Sequence, residues 1–142
     1  MTIRHTISLL SVLFVACFAM AQEKPVLKKV PVKHTSAASG KEMYTEYCAA
    51  CHGADAKGTG PAVVALKAPP PDLTTLAKRH DGKYPTEHVA NILKSGTEVP
   101  AHGSSDMPTW GPLFKSLDPS HDAVVMQRIK NVNNYLESLQ AK

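Results

Sequence analysis

Two cysteines three residues apart, with a histidine directly after the second, stand at Cys48-Ala49-Ala50-Cys51-His52. On one turn of helix, side chains at i and i+3 point the same way, so the two thiols present one paired surface. That pair matches the two vinyl groups on one edge of a haem, each of which can take a thioether. His52 is then carried under the ring as proximal iron ligand. Other uses of a cysteine pair compete. A thioredoxin-like redox pair needs a βαβ setting, and no strand pattern accompanies these residues. A zinc site using Cys48, Cys51 and two of His80, His88, His102 or His121 lacks the compact histidine pairing of such sites. A plain structural disulfide leaves His52 unexplained. The glycines of Gly58-Thr59-Gly60 are not followed by the Lys-Ser/Thr of a phosphate loop.

The elements that must position this motif are helical. Ser39 and Glu42 form a capping-box pattern, and the helix they open carries Met43, Tyr44, Tyr47, Cys48 and Cys51 at spacings of three and four. After Gly53, Gly58-Thr59-Gly60-Pro61 and Pro69-Pro70-Pro71 predict loop, until Asp72 caps a short helix through Leu73, Leu76 and Ala77. Thr86 caps the next helix, whose apolar stripe is Val89, Ile92 and Leu93 and which stops at Gly96. From Gly96 to Pro112 the sequence has no usable period and reads as a long loop, a kind that is usually functional. Asp118-Pro119 opens the last helix, with Val125, Ile129, Val132, Leu136 and Leu139 along one face. Neither strands nor internal repeats are predicted.

With 142 residues, 43% apolar and 20% charged, the chain is one ordinary globular domain. Residues 1–21 are expected to be a signal peptide: Arg4 and His5 lead an apolar run from Ile7 to Ala19, and Ala19-Met20-Ala21 offers a cleavage site before Gln22. That run is shorter than an uncleaved membrane anchor needs, and Phe14-Val15-Ala16 is a poor lipobox for Cys17. Export puts the protein in a periplasmic, oxidising setting, yet only Cys48 and Cys51 survive cleavage, and so close a pair cannot staple a fold. Residues 22–39 read as a basic flexible tether, holding Lys24, Lys28, Lys29 and Lys33 against Glu23. The domain from residue 40 to 142 is balanced in charge, so the net charge of +4 lies outside it. The tether is therefore expected to make peripheral contact with an anionic membrane or an acidic partner. A basic pI alone does not imply nucleic acid; no binding motif or stacking series is present.

Gly40, Tyr44, the CAACH motif, Gly53, Gly58 to Pro61, Met107-Pro108-Thr109-Trp110 and the terminal Asn134-Tyr135-Leu136-Glu137-Ser138-Leu139-Gln140 together resemble a bacterial class I c-type cytochrome, from about Ser39 to Gln140. The resemblance implies a small all-α domain around one haem c, attached through Cys48 and Cys51, with first and last helices crossing near the haem edge. Gly40 would permit that crossing, with Tyr44 and Tyr135 packed at it, and the resemblance also counts Tyr44 among the haem-binding residues. For the sixth iron ligand the methionines after residue 21 are Met43, Met107 and Met126. Met43 and Met126 fall inside helices and read as core filler. Met107 lies in the proline-braced loop, where the family places its axial methionine in a Met-Pro context; His102 is its rival. The resemblance also implies that the Pro61 carbonyl orients His52, and Trp110 either sends its indole N–H to a haem propionate or packs against the ring.

Two functional classes follow. A carrier of single electrons between redox partner proteins has both axial positions filled and no catalytic acid/base constellation. A peroxidase-like haem enzyme or sensor needs a labile sixth position. The methionine at position 107 favours the carrier, and an electron-entry subunit of a larger oxidoreductase complex would carry the same motifs.

Overall fold

The first helix begins where its cap does. Ser39 keeps an extended backbone and its hydroxyl accepts the Glu42 amide at 3.2 Å, opening α1 over Gly40–Tyr47. The reciprocal half of the capping box is displaced, because the Glu42 carboxylate accepts the amide of Ser36 instead. The computed structural model describes residues 31–95 and 107–141, and among them the chain is helical with no strand, as the periodicity predicts. From α1 the chain passes through Cys48 into a single turn, α2 (Ala49–His52). Three 3₁₀ turns at Pro61–Ala65, Leu73–Thr75 and Lys78–His80 lead to α3 (Thr86–Ser95), α4 (Trp110–Leu117) and α5 (Asp122–Ser138).

The stripe predicted on the last helix is the centre of the fold. Val125, Ile129, Val132 and Leu136 are buried, and Leu139 packs against them from the end of the helix. α5 lies across α1 and also packs on α3 and α4. At the α1–α5 crossing, a Cβ on Gly40 would stand 2.0 Å from the Asn131 carbonyl oxygen, so only glycine lets the backbones approach this closely. Tyr44 and Tyr135 pack there with ring centroids 5.4 Å apart and planes tilted by 52°.

Several elements differ from the sequence expectation. Residues 110–117 form helix α4, which starts within the stretch expected as loop; Gly111 and Pro112 conceal it in the sequence. Pro112 sits in the first turn, where its missing N–H has no partner to lose, and a Cβ on Gly111 would come 2.2 Å from the Lys94 carbonyl at the end of α3. The last helix starts at Asp122 rather than at Asp118-Pro119, because the Asp118 carboxylate is taken by Arg128 at 2.9 Å. Asp72 does cap, its carboxylate accepting the Thr74 amide at 2.8 Å, but the turn it opens is 3₁₀. Thr86 is the first residue of α3 rather than its cap, and the Pro85 carbonyl accepts the Val89 amide at 3.0 Å. Met43 is fully buried as expected, whereas Met126 is 51% exposed and fills no core.

The boundary drawn at residue 39 also moves. The helical unit begins at Val32, inside the expected tether, while residues 1–30 lie outside the described residues. The Tyr47 hydroxyl meets the Thr35 hydroxyl at 2.9 Å and the Lys33 carbonyl, and Asn131 donates to the Ala37 carbonyl at 2.8 Å. Arg128, only 4% exposed, completes the attachment: Nη1 donates to the Thr35 carbonyl at 3.0 Å, and Nε donates to Asp118. Its guanidinium also lies 5.9 Å from the centre of the Phe114 ring. A buried arginine with this many partners ties the N-terminal strap to α4 and α5.

Candidate haem site

His52 closes α2, and the loop that follows folds back beneath it. The Gly58 amide donates to the His52 carbonyl at 2.8 Å and the Gly60 amide to the Cys51 carbonyl at 3.1 Å, which satisfies carbonyls the short helix leaves without partners. Asp55 braces the loop from within, accepting from the Lys57 amide and the Thr59 hydroxyl. The Gly58-Thr59-Gly60 stretch is thus a cap for the attachment turn.

Cys48, Cys51, His52, Met107 and Trp110 all line one cavity of about 200 Å³, with apolar walls that include Leu73, Leu76, Val89 and Leu93. Both cysteines are free, half-buried thiols. Burial, and secondarily the neighbouring Cys51, pushes the Cys48 thiol up to about 12, so it is neutral at ordinary pH. His52 is 9% exposed. Burial pushes the imidazole below its ordinary pKa and the Pro71 carbonyl pulls it partly back, which leaves the neutral ring that iron requires.

Nδ1 of His52 is buried with no hydrogen-bond partner, the one such side-chain atom among the described residues. The Pro71 carbonyl therefore acts on the ring without meeting Nδ1 in hydrogen-bond geometry. A buried nitrogen left this way costs about 1–3 kcal/mol, and the cavity that His52 lines also presents two thiols, a thioether and apolar walls. That donor set fits a haem: the thiols take the vinyl carbons, and imidazole and thioether suit iron.

Two expected roles are corrected. The proline carbonyl acting on His52 belongs to Pro71 and not to Pro61, which opens a 3₁₀ turn, is exposed and does not line the cavity. The reason is the wrap of the loop: once Gly58 and Gly60 bond back to α2, the chain leaves the site at Pro61 and returns to it at Leu66, Ala68 and Pro69-Pro70-Pro71. Tyr44 does not line the cavity either; its hydroxyl donates to the Gly53 carbonyl at 2.7 Å and holds the end of the attachment turn. Tyr47 faces the cavity instead, its ring 5.4 Å from that of Trp110. Its position directly before Cys48 was the available signal.

Trp110 is buried, stacked between the cavity and Phe114 at a centroid distance of 5.8 Å. Met107 is half-buried at the cavity, three residues before α4, whereas its rival His102 lies outside the described residues. Arg79, His80 and His88 line the same cavity from the 3₁₀ segment and α3, a placement that no pattern in the sequence announces.

A family model described as Cytochrome c matches residues 37–140, from the strap ahead of α1 to the end of α5. Comparison with curated proteins and with solved structures returns no match. With that match covering most of its length and the attachment pair, histidine and methionine meeting in one cavity, the chain belongs to the cytochrome c family.

Proposed function

We propose that this chain is an exported, periplasmic carrier of single electrons between redox partner proteins, with one haem c held through Cys48 and Cys51 and with His52 and Met107 as axial ligands. The carrying observation is that His52 and Met107, 55 positions apart by their numbers, line the same apolar cavity as both thiols. When bound, the haem supplies one-electron iron chemistry. The chain's own residues do the rest. Burial keeps His52 neutral and able to donate a lone pair, and Leu73, Leu76, Val89 and Leu93 exclude water from the site. A soft thioether from Met107 would favour ferrous iron and so raise the reduction potential. A filled sixth position leaves no place for substrate, which favours a carrier over a peroxidase-like enzyme or a sensor.

Optical spectra of the purified protein in both oxidation states test this reading. Covalent c-type haem that resists acid-acetone extraction, with the weak iron–sulfur charge-transfer band in the ferric form, is expected. A high-spin ferric spectrum without that band would turn the reading toward an open-site haem enzyme. N-terminal sequencing of protein recovered from the periplasm tests export, with Gln22 as the expected first residue.

A further inference from the structure

We propose that Gln140 is a positioning residue for the haem: its side-chain amide fixes the cavity wall to which Leu73, Leu76 and Leu136 contribute. The inference rests on the haem reading above and gives a role to a residue that does not itself line the cavity. The wall needs such a support. Leu73 and Leu76 belong to a stretch whose regular structure is the single 3₁₀ turn Leu73–Thr75, a short element with poor hydrogen-bond geometry. A segment of that kind holds apolar side chains against a cofactor only if something else fixes its backbone.

Gln140, half-buried just past the end of α5, does so with both ends of its amide. Nε2 donates to the Leu73 carbonyl and to the Leu136 carbonyl, each at 2.8 Å, and Oε1 accepts the Ala77 amide at 2.9 Å. Leu73 and Leu136 line the cavity, and so does Leu76, directly before Ala77. One planar group thus joins α5 to both ends of the wall segment. The Ala141 amide adds a bond to the Thr74 carbonyl at 2.8 Å. The same segment is tied to the loop after His52, where the Leu73 amide donates to the Ala56 carbonyl at 2.8 Å. Neither close relative of glutamine reproduces the set: asparagine is one methylene shorter, and an ionised glutamate has no N–H to give.

The apolar shell of a haem site controls how much water reaches it, and a wetter site favours the more highly charged ferric state. Gln140 therefore acts on the potential through Leu73 and Leu76. The test is equilibrium redox titration of the haem-loaded full chain, of Gln140→Leu and of Asn131→Ala. Leucine is uncharged and offers iron no ligand, so what is lost is the amide. Asn131 is the control, another α5 amide, whose bond goes to the Ala37 carbonyl in the strap and which does not line the cavity. Gln140→Leu should shift the one-electron equilibrium about threefold toward ferric iron, a potential lower by about 28 mV. Asn131→Ala should lower Tm and leave the potential in place. A Gln140→Leu potential equal to that of the parent, or an equal shift from Asn131→Ala, overturns the proposal.

Hydrogen exchange in the parent keeps the proposal open to refutation even where Gln140→Leu is recovered without haem. Gln22, Gln127 and Gln140 are the glutamines of the sequence, and Gln127 is exposed. The Gln140 side-chain protons and the Ala77 amide should exchange far more slowly than the Gln127 side chain. Slow exchange, with haem lost from Gln140→Leu but kept by Asn131→Ala, supports the role at the wall; a Gln140 side chain as fast as that of Gln127 overturns it. Absence of covalent haem from the parent is a different result: it brings down the haem reading and the positioning role with it, while the exchange rates still report whether the clamp is formed.

Discussion

Substitutions at Gly40 should separate steric cost at the α1–α5 crossing from backbone strain. An alanine Cβ there would lie 2.0 Å from the Asn131 carbonyl oxygen, where ordinary contact begins at 3.4 Å, and 3.0 Å from the Tyr135 Cβ. Relief requires the two helices to part by roughly 1.4 Å at their closest point, which loosens the packing of Met43, Ile129 and Val132 beneath it. Overpacking of this kind costs about 1–3 kcal/mol, reduced by up to about 1 kcal/mol through the better helix propensity of alanine. In a domain of this size a net loss of about 1–2 kcal/mol lowers Tm by roughly 4–16 °C. Gly82 supplies the contrast: a Cβ there would meet nothing within 4 Å, but the backbone φ is +79°. Alanine and serine at Gly82 should therefore cost about the same, on the order of 1–2 kcal/mol each from the left-handed backbone. The same series at Gly40 should grow steeply with side-chain volume. Thermal unfolding of the haem-loaded variants by circular dichroism measures both series, and a flat series at Gly40 would refute the close-crossing argument.

Replacing Met107 by alanine should lower the reduction potential and create peroxidase-like activity, because water or another nitrogen ligand stabilises ferric iron; an unchanged potential and charge-transfer band would move the sixth ligand elsewhere. Deleting residues 22–30 should leave spectrum, potential and Tm intact while weakening salt-sensitive binding to anionic vesicles, each lysine near the surface contributing on the order of 1 kcal/mol. Equal vesicle binding with and without that segment across a salt series would make it a spacer. The deletion must stop short of Lys33, since extending it into the docked strap removes the Lys33–Glu46 ion pair and the Thr35 contacts and should lower Tm as well. Burial raises the Tyr44 and Tyr84 phenols above the ordinary tyrosine pKa, so the unfolded chain loses those protons first and stability falls as pH rises past about 10. Native tyrosinate absorbance should fall short of the full amplitude near pH 11 and complete only on unfolding; full amplitude while the protein is still folded would show both phenols accessible.

The attachment motif was legible in the sequence because thioether formation and iron ligation demand particular side chains at a fixed spacing. The crossing helices were legible because burial on α5 writes a stripe at Val125, Ile129, Val132 and Leu136. α4 was not, since its first turn holds Gly111 and Pro112, residues that break a helix in its middle and are tolerated at its start. What decides their effect is the position of the helix start, and at Gly111 the Lys94 carbonyl also leaves no room for a Cβ.

The supports of the site were hidden for a different reason. Arg128 and Arg79 belong to no motif in the sequence, yet one is buried and the other lines the cavity. Both are held largely by backbone carbonyls: Thr35 for Arg128, Asp72 and Thr75 for Arg79. Every residue carries a carbonyl, so the partner leaves no residue type to recognise. The same holds at His52, where the family resemblance pointed to Pro61 but the path of the loop brings the Pro71 carbonyl to the ring. Groups that react with the cofactor must be chosen by chemical type and therefore show in sequence, whereas groups that hold those residues can be any peptide unit the fold delivers.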